Sequence, residues 1–223
     1  MSELIGILGD SGKGKTTSFR NLDPEETVII NVSGKPLPFP GWKSNYTKGI
    51  KEDGNYAETN NAKKIQGILK YIHSNREDIK NVIIDDMQYI QAFEFFKRRD
   101  EKNYQKFNDI GGHLFDVLNT ARNLREDLRV ITTFHPDENG EGFDKKKVFK
   151  TLGKMVRQNL TPEGLYTVIF WADYDPQEEK YYFETETDGT TPARSPMGMF
   201  EEKRIPNDLD SALDTIDEYY YGE

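Results

Sequence analysis

Gly9-Asp10-Ser11-Gly12-Lys13-Gly14-Lys15-Thr16 decides how this 223-residue chain is read. It matches G-x-x-x-x-G-K-[ST] at every fixed position. At ordinary residue frequencies a chance match in a chain of this length is roughly a one per cent event. The flanks narrow it further: Ile5-Gly6-Ile7-Leu8 reads as a buried strand, and Thr16 to Asn21 suits a helix. These residue types serve one chemistry. Glycines let backbone N–H groups wrap closely around phosphate oxygens, and the following helix offers its positive end to the anion. Lys15 reaches the β and γ phosphates, and the Thr16 hydroxyl ligates magnesium. The expected nucleotide-binding residues are Gly9, Asp10, Ser11, Gly12, Lys13, Gly14, Lys15, Thr16 and Thr17, with Lys13 either on phosphate or solvated. The expected cofactors are ATP, or a close relative, and Mg2+.

Outward from this loop the chain carries further short β-branched runs, Thr27 to Ile30, Val82 to Ile84 and Val130 to Phe134. They do not alternate with polar residues, which suits strands buried on both faces of a parallel sheet. Leu165 to Ala172 leads through Asp173-Tyr174-Asp175-Pro176 to Lys180–Thr185, the pattern of an antiparallel hairpin. Ile65, Ile68, Leu69 and Ile72 give Ala62 to His73 one apolar face. Met87 to Arg125 reads as mostly helical, broken at Gly111-Gly112, and Asn207 to Tyr219 as a C-terminal helix capped by Asn207 or Asp208. Ser33 to Tyr56 reads as loop with one short strand. The order predicts an α/β domain spanning residues 1–223, with a mostly parallel central sheet flanked by helices and an antiparallel hairpin towards the C-terminus.

Asn81-Val82-Ile83-Ile84-Asp85-Asp86 ends an apolar strand in two acids. Such a strand is expected beside the strand of the loop, where Asp85 holds magnesium and Asp86 orients the attacking water or accepts its proton. The end of the Val130–Phe134 strand offers Thr133 or His135 as a sensor of the γ phosphate. His73 and His113 have no ligand partner at suitable spacing, so no zinc site is expected.

Composition sets limits. The chain has no cysteine and a net charge of −9, so disulfides, thiolate zinc sites and cysteine nucleophiles are excluded. The opening MSELIGILG does not read as a signal peptide, and no apolar run approaches the length of a bilayer span. A soluble, cytoplasmic protein with no membrane partner is expected. Charge is segregated: Lys145 to Arg157 holds six basic residues and no acidic one, whereas acids dominate from Glu201 onwards, in the C-terminal helix and tail.

Taken together, the Gly9–Thr16 loop, the Asp85-Asp86 and Thr133/His135 strand ends, Pro162-Glu163-Gly164-Leu165, and the segment from Thr187-Asp188-Gly189 to Ser195-Pro196-Met197-Gly198-Met199-Phe200 resemble phage-encoded RecA-like P-loop ATPases, a group that includes single-strand annealing proteins. The resemblance implies a RecA-like core, ATP hydrolysis, a homo-oligomer with nucleotide between subunits, and a role in phage DNA recombination or replication in the host cytoplasm. It also implies a basic residue reaching the γ phosphate from a neighbouring subunit, for which Arg194 is the first candidate and Arg157 the second. One departure stands out. RecA-like proteins place a catalytic glutamate at the end of the strand after the loop, and here that strand ends in Asn31-Val32-Ser33. Either Asp86 takes the role or turnover is slow.

The basic run follows the His135 strand, where RecA-like proteins place loops that touch single-stranded DNA. Its lysines suit phosphates and Phe149 could stack on a base; the bland alternative is a solvated helix face. Two other classes share the loop: a nucleotide or small-molecule kinase, whose lid arginines would come from Arg98-Arg99 or Arg122 to Arg129, and a nucleotide-gated adaptor without turnover. No N-K-x-D motif supports a GTPase.

Overall fold

The computed structural model describes residues 2–51, 53–140, 145–152 and 161–222. The β-branched runs form strands because each presents apolar side chains to both faces, so burial rewards extended pairing in the middle of a covered sheet. In chain order the strands are β1 (Glu3–Leu8), β2 (Thr27–Asn31), β3 (Tyr56–Glu58), β4 (Asn81–Asp85), β5 (Arg129–Phe134), β6 (Pro136–Asn139), β7 (Lys146–Phe149), β8 (Val168–Asp175), β9 (Lys180–Glu184) and β10 (Arg204–Pro206). Eight of them make one sheet in the order β10-β9-β8-β1-β5-β4-β2-β3. From β8 to β3 all neighbours are parallel, and β8, β9 and β10 form an antiparallel meander. A mixed α/β architecture with a mostly parallel sheet and a C-terminal antiparallel hairpin is therefore observed. The strand bearing Asp85 does not lie beside β1, as expected from sequence: β5 is inserted between them.

The helices are α1 (Trp42–Asn45), α2 (Ala62–Asn75), α3 (Gln88–Lys97), α4 (Gln105–Arg122) and α5 (Leu209–Tyr221). Strand alternation divides the core into two layers. Val28, Ile30, Val82, Ile84 and Val130 meet Ile65, Leu69 and Ile72 of α2 and Leu114, Val117 and Leu118 of α4. Ile5, Ile7, Ile29, Ile83 and Ile131 face Phe19, Leu22 and the apolar stripe of α5. Each such side chain, fully buried, contributes about 1.5–3 kcal/mol.

Several boundaries differ from the sequence reading. α4 runs straight through Gly111-Gly112, and the break in the Met87–Arg125 stretch falls at 98–104 instead. There Arg98 binds Glu94, Glu101 and Asp109 at 3.0, 2.8 and 2.8 Å, and Lys106 Nζ donates to the carbonyls of Arg99 and Glu101. Two glycines cost α4 about 1 kcal/mol each, less than its buried face returns. Thr16–Asn21 is a six-residue 3-10 turn rather than an α-helix; Leu22 is extended, and Pro24 disfavours helix at the residue before it. Pro162–Leu165 is likewise a 3-10 turn, so β8 starts at Val168. Asp208 precedes α5, but its carboxylate accepts from Asn21 Nδ2 at 2.6 Å rather than capping the helix.

The basic run is neither a helix face nor a stacking platform in its described part. Lys146–Phe149 pairs with β6 as a separate two-stranded ribbon. Lys145 and Lys147 bind Glu138 at 3.1 and 3.0 Å. Phe149 is buried, its ring centroid 4.6 Å from that of Phe134 and 5.0 Å from that of Tyr166. Lys146 and Lys150 are exposed, and Lys154 and Arg157 lie outside the described residues. Among the described residues no helix is long and apolar enough to cross a membrane. Phe149→Ala is expected to lower unfolding free energy by about 3–5 kcal/mol and Lys146→Ala by no more than about 0.5 kcal/mol, read from urea denaturation. Equal, small losses would place Phe149 at the surface.

Candidate functional site

The Gly9–Thr16 loop leaves the carboxyl end of β1, and β4 and β5 end at the same edge of the sheet. In parallel α/β sheets such an edge is where ligands bind, at the point where successive connections turn to opposite sides. Here β2 lies to one side of β1 and β8 to the other. The loop packs directly on β8: a Cβ at Gly9 would stand 2.4 Å from the Ala172 carbonyl oxygen, so only glycine fits. A cleft of about 470 Å³ opens over the loop, with Ser11 to Thr17 on one wall and Lys35, Asp85, Asp86 and His135 on the other.

Lys15 is buried and donates to the carbonyls of Gly9 and Asp10 at 2.7 and 3.0 Å. Burial lowers its ammonium from the usual lysine range, against the pull of Asp86, Asp85 and Asp10. Thr16 Oγ1 donates to both carboxylate oxygens of Asp85, at 3.1 and 3.2 Å. Lys13 lines the cleft and is paired rather than simply solvated: its ammonium sits 2.7 Å from Asp173 on β8, and that contact raises it.

Thr133, expected as a γ-phosphate sensor, is fully buried and occupied otherwise. Its hydroxyl donates to Asp85 at 2.7 Å and accepts the Asp86 N–H at 2.7 Å. It therefore sets the positions of both acids and does not face the cleft, whereas His135 does. His135 Nε2 lies 3.4 Å from Asp86 Oδ1. Asp86 adopts φ 63, a left-handed backbone that Asp tolerates better than most residues. Burial acts to raise its carboxyl, but hydrogen bonds from His135 and Gln88 outweigh this and hold it below the ordinary range. Asp85 is the opposite case: burial, then the charge of Asp86, push it up to about 6 despite the Thr133 and Thr16 hydrogen bonds.

Two residues here escaped the sequence reading. Gln88 bridges the two strand ends, donating to Asp86 at 3.2 Å and accepting the His135 N–H at 3.2 Å. Lys35 stands 3.9 Å from Asp86 and 5.5 Å from the Tyr89 ring centroid. It is held by Asn31, the residue found where a RecA-like glutamate was expected. Asn31 donates to the Lys35 carbonyl at 2.6 Å and accepts the Gly34 N–H at 2.8 Å. The signal was there to see: a Gly34-Lys35-Pro36 turn separated only by Val32-Ser33 from the end of the buried Thr27–Asn31 strand.

Arg194 lies apart from this cleft. Its main chain pairs with Ile169, and its guanidinium donates to the carbonyls of Glu163 and Tyr166, ahead of β8. Arg157 lies outside the described residues.

Among the described residues no three His, Cys, Asp or Glu side chains gather as a metal cage. The Thr16 hydroxyl and the Asp85 carboxylate instead offer hard oxygens side by side. That pair fits magnesium, which takes one or two protein oxygens and completes its shell with water and phosphate. The chain matches no known family model, and no curated protein matches it either.

The buried Asp85 makes a pH prediction. A carboxyl raised in the folded state gives stability below its unfolded pKa and loses it as pH rises through the folded value. Between about pH 4 and 6 the nucleotide-free, metal-free protein therefore loses stability through Asp85. Asp85→Asn is expected to exceed wild type by about 1–3 kcal/mol above pH 6, with the gap closing towards pH 4. A pH-independent gap in thermal or urea unfolding would contradict this.

Proposed function

We propose that the chain is a P-loop, RecA-like ATPase that binds ATP with magnesium over the Gly9–Thr16 loop and hydrolyses it. The observation that carries this reading is the convergence of Lys15, the Thr16–Asp85 pair and Asp86 within one cleft at the carboxyl edge of the sheet. Backbone N–H groups of the loop suit the phosphate oxygens. Lys15 exchanges its two loop carbonyls for β and γ oxygens. Thr16 and Asp85 hold magnesium, which neutralises charge building on those oxygens. Asp86, ionised and fixed by Gln88 and His135, orients a water for in-line attack on the γ phosphorus; the bond from that phosphorus to the bridging oxygen breaks, ADP leaves with the electron pair, and the water's proton departs on the released phosphate. Its lowered pKa suits orientation better than proton acceptance. Lys35 supplies, from the same chain, the positive charge that a neighbour's arginine supplies in RecA-like assemblies. With no glutamate at Asn31, slow intrinsic turnover is part of the reading.

The resemblance adds assembly of copies and single-stranded DNA as partner, with Lys146 and Lys150 as the exposed described lysines of the basic run. The kinase alternative loses support because three of its five candidate lid arginines are engaged elsewhere. Arg98 holds three carboxylates, Arg125 binds the carbonyls of Ile72, Arg76 and Ile79, and Arg129 binds Asp217.

Phosphate release, measured with and without single-stranded DNA, tests the proposal. Lys15→Ala is expected to lose about a hundredfold or more, and Lys35→Ala about tenfold or more in kcat with little change in ATP affinity. DNA is expected to raise the wild-type rate. Hydrolysis indifferent to Lys15 would refute the site, and hydrolysis indifferent to DNA across salt concentrations would refute the partner. Phosphate transfer to a nucleoside monophosphate would favour the kinase.

A further inference from the structure

The Asn207 carboxamide is 4% exposed, and neither its Oδ1 nor its Nδ2 has a hydrogen-bond partner. A buried amide without partners is unfavourable, and the main chain holds this one in place. The Asn207 carbonyl accepts from Arg20 Nη1 at 2.7 Å, and its N–H donates to the Tyr181 carbonyl at 3.3 Å. The amide is directed at the phosphate loop. A Cβ built on Gly14 would lie 3.1 Å from both Nδ2 and Oδ1 and 3.0 Å from Cδ1 of Tyr181, so loop, amide and ring meet at one point. From that point a second cleft, of about 740 Å³, runs between the Thr16–Asn21 turn and β9–β10, and it shares Thr17 and Tyr181 with the phosphate cleft.

We propose that this second cleft takes the base of the bound nucleotide and that Asn207 reads the N6/N7 edge of adenine. The inference rests on the ATP reading of the first cleft and specifies its ligand. A triphosphate anchored on the loop carries its sugar and base away from the γ end, past Thr17. An amide presents one donor and one acceptor side by side, and the N6–H and N7 of adenine complement them. Guanine offers two acceptors, O6 and N7, on that edge and leaves the amide oxygen facing a lone pair. Tyr181, 45% exposed and in ring contact with Tyr174 at 4.8 Å, is the face against which the base stacks once its ring turns from the amide.

The test is calorimetric titration of ATP, GTP, 7-deaza-ATP and inorganic tripolyphosphate, all with Mg2+, into wild type, Asn207→Ala and Lys15→Ala. Wild type is expected to bind ATP about tenfold or more tightly than GTP or 7-deaza-ATP. In Asn207→Ala the three nucleotides should converge to within about threefold, with tripolyphosphate affinity unchanged. Equal wild-type affinity for ATP and 7-deaza-ATP overturns the inference, whether or not the variant folds. So does an Asn207→Ala variant that loses tripolyphosphate as heavily as ATP, since Asn207 then serves phosphate or scaffold. Tripolyphosphate binding through Lys15 without base discrimination removes only the role of Asn207. Absence of Lys15-dependent binding of every triphosphate removes the ATP reading as well.

Discussion

The Asp85 carboxylate sits where the loop, β4 and β5 meet, and its burial governs the rest of the site. Thr16 donates to it from the loop and Thr133 from β5, while its main-chain carbonyl accepts from Val32 at the end of β2. Desolvating a carboxylate costs several kcal/mol unless donors surround it. The two hydroxyls answer that cost in part, while burial and the charge of Asp86 still push the carboxyl up. The same bonds hold the loop in register with the sheet edge. Insertion of β5 between β1 and β4 makes this possible, because it places Thr133 between the two acids and turns His135 and Gln88 towards Asp86.

Charge in the cleft runs against that of the chain. A protein with net charge −9 places Lys13, Lys15 and Lys35 around one opening and checks them with Asp173, loop carbonyls and Asp86 respectively. Each lysine is thus held near the opening without an external anion. Such an arrangement favours a polyanion that replaces several of these partners at once, because positioned donors lose little freedom on binding.

Much of this was legible in the sequence, and the reasons differ by element. The loop shows because its chemistry needs particular residues at fixed spacing. The strands show because burial on both faces demands unbroken β-branched runs, as in Thr27–Ile30. Strand order did not show: nothing local in Val82–Asp85 states that β5 will lie between it and β1. Gly111-Gly112 misled because local propensity was weighed without the packing of Leu114 and Val117 that holds α4 together. Phe149 misled because its lysine neighbours are exposed while its own ring closes the core over β5, an alternation proper to a strand. Lys35, Gln88 and Asn207 are ordinary polar residues in sequence and acquire a role only where the fold directs them.

On the proposed reading, Lys15 and the Thr16–Asp85 pair hold a magnesium-bound triphosphate. Equilibrium titration of ATP into the protein, with Mg2+ and again with excess EDTA, addresses it most directly when wild type is set beside Thr16→Ala. The expected result is one ATP per chain, bound about tenfold or more tightly with Mg2+ in wild type, with that enhancement lost in Thr16→Ala. Absence of ATP binding, or binding whose Mg2+ dependence survives loss of the Thr16 hydroxyl, would contradict the account.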